Sequence, residues 1–199
     1  QLSELRETGS QVGASERRYL DAARDLYDPI HRELEKTTDD KLRTHAENIT
    51  RETLDALKTL TLRSTELRDA MLSNPGHNLG RRIERLEARL ERIQDPSVRE
   101  ELRAAKDEVE REIESRERVE IAITRLEVRQ QRCVTALERL HMNLVESGNV
   151  DSADFGLEAS LNELEDLTDE VQWRNLTLDE ICDPVTDEIE KAHERGAQI

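Results

Sequence analysis

Aromatic residues are scarce in this sequence: one Phe, one Trp and two Tyr among 199 residues. So few rings leave Leu, Ile, Val and Ala to fill the interior, as happens when thin helices bury a stripe instead of a thick globular core. Glycine is also sparse, and no GxxxxGK[ST] or GxGxxG run is present to cradle a nucleotide phosphate. The two cysteines, Cys133 and Cys182, have neither CxxC spacing nor a neighbouring Cys/His cluster, which argues against zinc. Cys133 falls on an apolar seam and reads as a small buried hydrophobe in a reducing compartment. No run approaches the roughly 18 apolar residues that span a bilayer, and no charged-then-apolar leader is visible. The sequence opens on Gln1 and not on Met, so it reads as a fragment or a processed product. The expected location is cytoplasmic, or the soluble part of a membrane-anchored protein.

Charge is what the sequence has in abundance. At 38% charged and 35% hydrophobic it is too polar for a sheet protein, yet too regularly patterned for disorder. A net charge of −16 opposes a nucleic-acid backbone or an anionic bilayer as the main partner. In the densest basic stretch, Arg81, Arg82, Arg85, Arg89 and Arg92 alternate with Glu84, Glu87 and Glu91, as on a solvated face laced with ion pairs.

Hydrophobic periodicity divides the chain into long helices. Residues 1–14 carry too little apolar surface to be held firmly. A single elongated helical bundle is expected over 15–199, with helices at about 15–72, 79–146 broken near 95, and 152–195 broken near 175–184. Ser15 would cap the first helix, Pro29 would kink it, and Asn74-Pro75-Gly76 would end it. Leu79, Ile83, Leu86, Leu90 and Ile93 alternate steps of four and three, the heptad rule. Asp95-Pro96 pairs a good N-cap with a tolerated first-turn proline, and marks a kink or a new helix and not a domain boundary. Val98, Leu102, Val109, Val119, Ile123, Leu126, Cys133 and Leu137 continue the seam. Leu157, Leu161, Leu164 and Val171 mark the third helix, and Thr177, Glu180 and Asp183-Pro184 offer a second start within it. Gly196 suits a C-cap.

Folding the first two helices about Asn74–Gly76 sets Leu67 near Leu86, Leu60 near Ile93, Leu34 near Val119 and Leu20 near Cys133. The polar interruptions then coincide, Lys41 with Glu112 and Thr37 with Arg116. A further turn near Asn149 sets Leu161 opposite Leu137, Val185 opposite Ile113 and Ile189 opposite Val109, with Tyr27, Leu126 and Trp173 in one layer. The fold class is therefore all-α: a long antiparallel coiled-coil hairpin with a third helix, an elongated three-helix bundle with proline kinks, on the order of 70 to 100 Å long.

Chemical motifs are few. Glu138 to His141 and Glu190 to His193 have the ExxH spacing of di-iron carboxylate bundles, but Glu138 and His141 flank the seam and the two tetrads lie far apart along it. His31, His45 and His77 have no Cys, Asp or Ser at a catalytic or metal-binding spacing. Asn48-Ile49-Thr50 and Asn175-Leu176-Thr177 match glycosylation acceptors by chance. No catalytic, cofactor-binding or metal residue is assigned, and no cofactor is expected. The residues singled out are structural: Lys41, Glu112, Arg116, Tyr27, Leu126, Trp173 and Cys133.

Such a bundle suits a non-enzymatic scaffold or protein-protein interaction module whose partner is another protein or a second copy, a homo-oligomer. Nucleic acid is not expected as a partner. Contact with a membrane surface is expected only through regions outside this sequence or a local patch. Three long kinked antiparallel helices resemble the layout of BAR domains and of phage-shock and ESCRT-III-like hairpins. That resemblance implies a membrane-shaping or stress-responsive coat, although the −16 charge departs from the basic surface it calls for. A di-metal carboxylate bundle enzyme is the remote alternative.

Overall fold

The computed structural model describes residues 5, 7–9, 12–73, 76, 78–147 and 156–171. Four helices have defined ends: α1 Ala14–Leu34, α2 Asp40–Ser73, α3 Leu79–Arg92 and α4 Pro96–Ser147. Residues 156–171 are also helical and are called α5 here, and no strand occurs among the described residues. The chain groups into two compact units, residues 1–61 with 129–199, and residues 62–128.

The expected helix over 15–72 is two helices. Gly13, not Ser15, stands at the N-cap of α1, and its carbonyl accepts from the Arg17 N–H at 3.0 Å. Pro29 lies inside α1 without ending it. The break comes instead at 35–39, where Lys36 and Thr37 donate to the carbonyls of Glu33 and Leu34, each at 3.1 Å, in a tightened last turn. Asp39 then caps α2, its Oδ1 accepting from the backbone N–H of Lys41 at 2.8 Å and of Leu42 at 3.2 Å. The decisive local signal was a carboxylate able to satisfy orphan donors, more than a proline that removes one.

In the first unit, α1, the first half of α2, the second half of α4 and α5 share an aliphatic core. Leu20, Ile30, Leu34, Leu54, Leu57, Leu60, Leu137, Leu140, Leu161 and Leu164 are all fully buried there. α5 runs antiparallel to α4: Arg139 pairs with Glu163 at 2.8 Å, and the Asn143 side-chain amide donates to the Gly156 carbonyl at 2.8 Å. Leu137 and Leu161, expected opposite one another, are both buried in this core. Thr53 and Thr168 hydroxyls meet at 3.4 Å, tying α2 to α5. The expected partners Val185 and Ile189, the break near 175–184 and the cap at Gly196 lie outside the described residues.

The second unit overturns the expected hairpin. Its reversal is at Ile93–Asp95, where Ile93 turns extended after α3. Asp95 caps α4 by accepting from Ser97 N–H at 2.9 Å and Val98 N–H at 3.3 Å. Three contacts lie symmetrically about Asp95-Pro96: Glu87 with Lys106 at 2.8 Å, Gly76 against Arg116, and Arg68 with Glu127. α3 and the end of α2 therefore form one arm, and α4 returns beside both. A Cβ on Gly76 would come within 2.5 Å of the Arg116 guanidinium carbon, so a larger residue there would make the arginine side chain move aside. Asn78 opens α3 from a left-handed conformation, φ 72°. Asn74 and Pro75, where the reversal was expected, lie outside the described residues. Leu67 shares a hollow with Glu112, Arg116 and Val119, not the expected contact with Leu86.

Candidate interaction surfaces

The residues singled out in the sequence are dispersed. Glu112 pairs along its own helix with Arg116 at 3.7 Å, while Lys41 is exposed at the start of α2. Lys41 and Thr37 lie in the first unit and Glu112 and Arg116 in the second, and the reversal from which their pairings were expected lies at Ile93–Asp95 instead. Tyr27 is half-buried in the first unit, edge-on to His31 at 6.2 Å between ring centres. Leu126 is buried in the second unit, and Trp173 lies outside the described residues. Cys133 is buried as a free thiol, and burial pushes its pKa up to about 11.

Glu138 is exposed and His141 half-buried, whereas Glu190 and His193 lie outside the described residues. No group of three or more metal-ligating side chains occurs among the described residues. His31 and His45 sit at the surface near Glu35 and Glu165, and His77 lies outside the described residues. Among the described residues, one hollow of about 30 Å³ lies beside Tyr27 and Thr50 in the first unit and another of about 150 Å³ beside Leu67 and Val119 in the second. Both fall short of the roughly 300 to 1,000 Å³ of small-molecule sites. No helix among the described residues is long and apolar enough to cross a membrane.

Two surfaces stand out instead. The first is the stripe on α3. Leu79, Ile83, Leu86, Leu90 and Ile93 obey the heptad rule, yet no residue of α3 is buried. Across the hairpin Leu102 and Val109 are buried, so α3 gives cover to α4 and keeps its own stripe half exposed. Both arms mix their charges: Arg81, Arg82, Arg85, Arg89 and Arg92 alternate with Glu84, Glu87 and Glu91 on α3, and Glu100, Glu101, Asp107, Glu108 and Glu110 with Arg99, Arg103, Lys106 and Arg111 on the facing part of α4. Lys106, between Glu87 and Glu110, has its pKa raised by hydrogen bonds to both carboxylates.

The second surface was missed in the sequence. Outside the Leu seam, α4 carries a repeat out of phase with it: Arg118-Ile121, Arg125-Val128, Arg132-Thr135 and Arg139-Met142, each pair seven residues after the last. Ile121 is 51% exposed and Val128 55%. Arg118 and Arg125 are exposed beside them. The signal was legible as a second heptad, but arginine at its alternate positions disguised it as ordinary surface charge. Comparison of the chain with family models, curated proteins and solved structures finds no significant match.

Proposed function

We propose that the chain is a non-enzymatic coiled-coil scaffold or protein-interaction module that associates with itself through the hairpin of its second unit. The observation that carries this reading is the α3 stripe, whose five heptad positions remain half exposed. Each Å² of apolar surface removed from water contributes about 25 cal/mol, so a second hairpin laid on this stripe completes a four-helix core. A reducing, cytoplasmic setting accords with the buried thiol of Cys133.

Sedimentation velocity over a range of protein concentrations tests the reading. The wild-type chain is expected to shift to a larger species with concentration. Leu86→Glu with Leu90→Glu should remain monomeric with unchanged helical circular dichroism, and a wild-type chain that stays monomeric throughout refutes self-association. The arginines of α3 support a second reading, a coat on anionic membranes. Under that reading the chain co-sediments with phosphatidylserine vesicles, and Arg85→Glu with Arg89→Glu releases it.

A further inference from the structure

We infer that α3 recognises a second copy of this chain in parallel orientation, and that Arg82 of each copy set on Glu87 of the other is the pair that selects it. The inference rests on the reading of the α3 stripe as a self-association surface. It adds the direction in which the two helices run.

The stripe assigns heptad positions along α3. Steps of three lead from a to d and steps of four from d to a, so Leu79, Leu86 and Ile93 are d and Ile83 and Leu90 are a. The flanks of the seam follow, with Arg82 and Arg89 at g and Gly80, Glu87 and Gln94 at e. Both arginines are exposed, and neither has an ion-pair partner among the described residues. Three and four residues to either side of each stand only Asn, Leu, Ile and Arg, so their own helix offers them no carboxylate. Glu87 is held by Lys106 through one oxygen, Oε1, at 2.8 Å, and its side chain is 51% exposed. A carboxylate accepts at both oxygens, so Glu87 is positioned by its own hairpin and still open to a second cation.

The two possible directions make different use of these flanks. Two parallel helices in register stack all five apolar positions, each against its own equivalent. In that arrangement a g residue meets the e residue five places on, so Arg82 faces Glu87 of the other copy and Arg89 faces Gln94, each twice about the two-fold axis. Antiparallel helices set a against d and g against g. Only four layers then form, either with Ile83 on Ile93 and Leu86 on Leu90, or with Leu79 on Leu90 and Ile83 on Leu86, each pair occurring twice. The first register puts Arg82 against Arg89 of the other copy. The second puts Arg82 against Arg82 and Glu87 against Glu87. Like charges held opposite one another destabilise, so apolar stacking and flanking charge choose the same direction. Both reversals at Ile93–Asp95 then lie at one end of the pair.

Two arms test this on the full chain. In the first, chains with Leu79→Cys and chains with Ile93→Cys, all with Cys182→Ser, are mixed and treated with a short bis-maleimide, and the linked peptides are identified by mass. The parallel pair should give 79–79 and 93–93 links and no 79–93 link, because the two positions lie about 21 Å apart along a helix. Links of 79 to 93 without the like-to-like links overturn the inference while leaving self-association standing. No link between copies removes self-association and the inference with it. The second arm leaves the seam intact. Arg82→Glu and Glu87→Lys each set like charges at both flanks, so each chain alone should self-associate about tenfold more weakly than wild type in sedimentation velocity. Mixed, the two variants restore both pairs and should associate as tightly as wild type, with circular dichroism unchanged throughout. Stronger self-association of Arg82→Glu overturns the inference, since the new carboxylate would then be facing Arg89 of an antiparallel copy. So does a mixture that associates no better than its components.

Discussion

Gln130 illustrates what single residues contribute to this core. Its side chain is fully buried; Nε2 donates to the Thr61 hydroxyl at 3.3 Å, and Oε1 has no partner among the described residues. A buried acceptor without a partner costs about 1 to 3 kcal/mol. Thr61 keeps its bond to the Leu57 carbonyl at 2.8 Å whether or not Gln130 is present. Gln130→Leu is therefore expected to raise stability by about 1 kcal/mol, read as a higher urea midpoint at constant slope. Gln130→Glu should lower it, because the same site then takes a charge. Cys133 makes a second case. Its thiol is held neutral by burial, with its pKa pushed up to about 11 from 9.0, so it should react with DTNB at pH 8 only as fast as the unit opens. The linkage sign follows: the folded state keeps the proton longer than the unfolded chain. The contribution to stability is whole below about pH 9 and declines as pH rises towards 11. Urea midpoints of wild type and Cys133→Ala should accordingly converge or cross in that window, and parallel curves would contradict it.

At the scale of elements, the reversal at Asp95-Pro96 is the feature on which the second unit depends. Cysteines at positions 87 and 106, joined by a short bis-maleimide, should link within one chain in good yield, while a pair at 67 and 86 should not. Asp95→Ala should cost about 1 kcal/mol through the lost cap. The seam itself was legible: Leu102, Val109, Ile123, Leu126, Cys133, Leu137, Leu157, Leu161 and Leu164 are all buried, as their spacing required. The place of the reversal was not. Asp-Pro announces that a helix starts, and the same dipeptide serves a restart in line or a turn back. Heptad seams also match in any register displaced by whole heptads, so Leu-on-Leu pairing about Asn74–Gly76 looked as good as the true one. Glu112 was assigned a partner on the wrong arm for that reason, although it had Arg116 one turn away. The interruption at 35–39 was legible in Asp39 but was outweighed by Pro29, which the helix tolerates. The arginine repeat of α4 is hidden because its arginines are invisible to hydrophobic periodicity and look like ordinary surface charge.

For the whole molecule, net charge sets how its surfaces respond to salt. A chain at −16 repels its own copies, and added salt screens that repulsion within about a Debye length. Association through the apolar stripe of α3 should therefore strengthen as salt rises. The central claim, that a second copy covers the α3 stripe, is tested most directly by isotope-mixed crosslinking. Heavy and light chains, each with one added cysteine at position 90 and Cys182→Ser, are mixed and treated with a short bis-maleimide. The account predicts abundant heavy–light linked peptides from α3, lost on Leu86→Glu. Chains that remain unlinked at concentrations well above those used for sedimentation would contradict it.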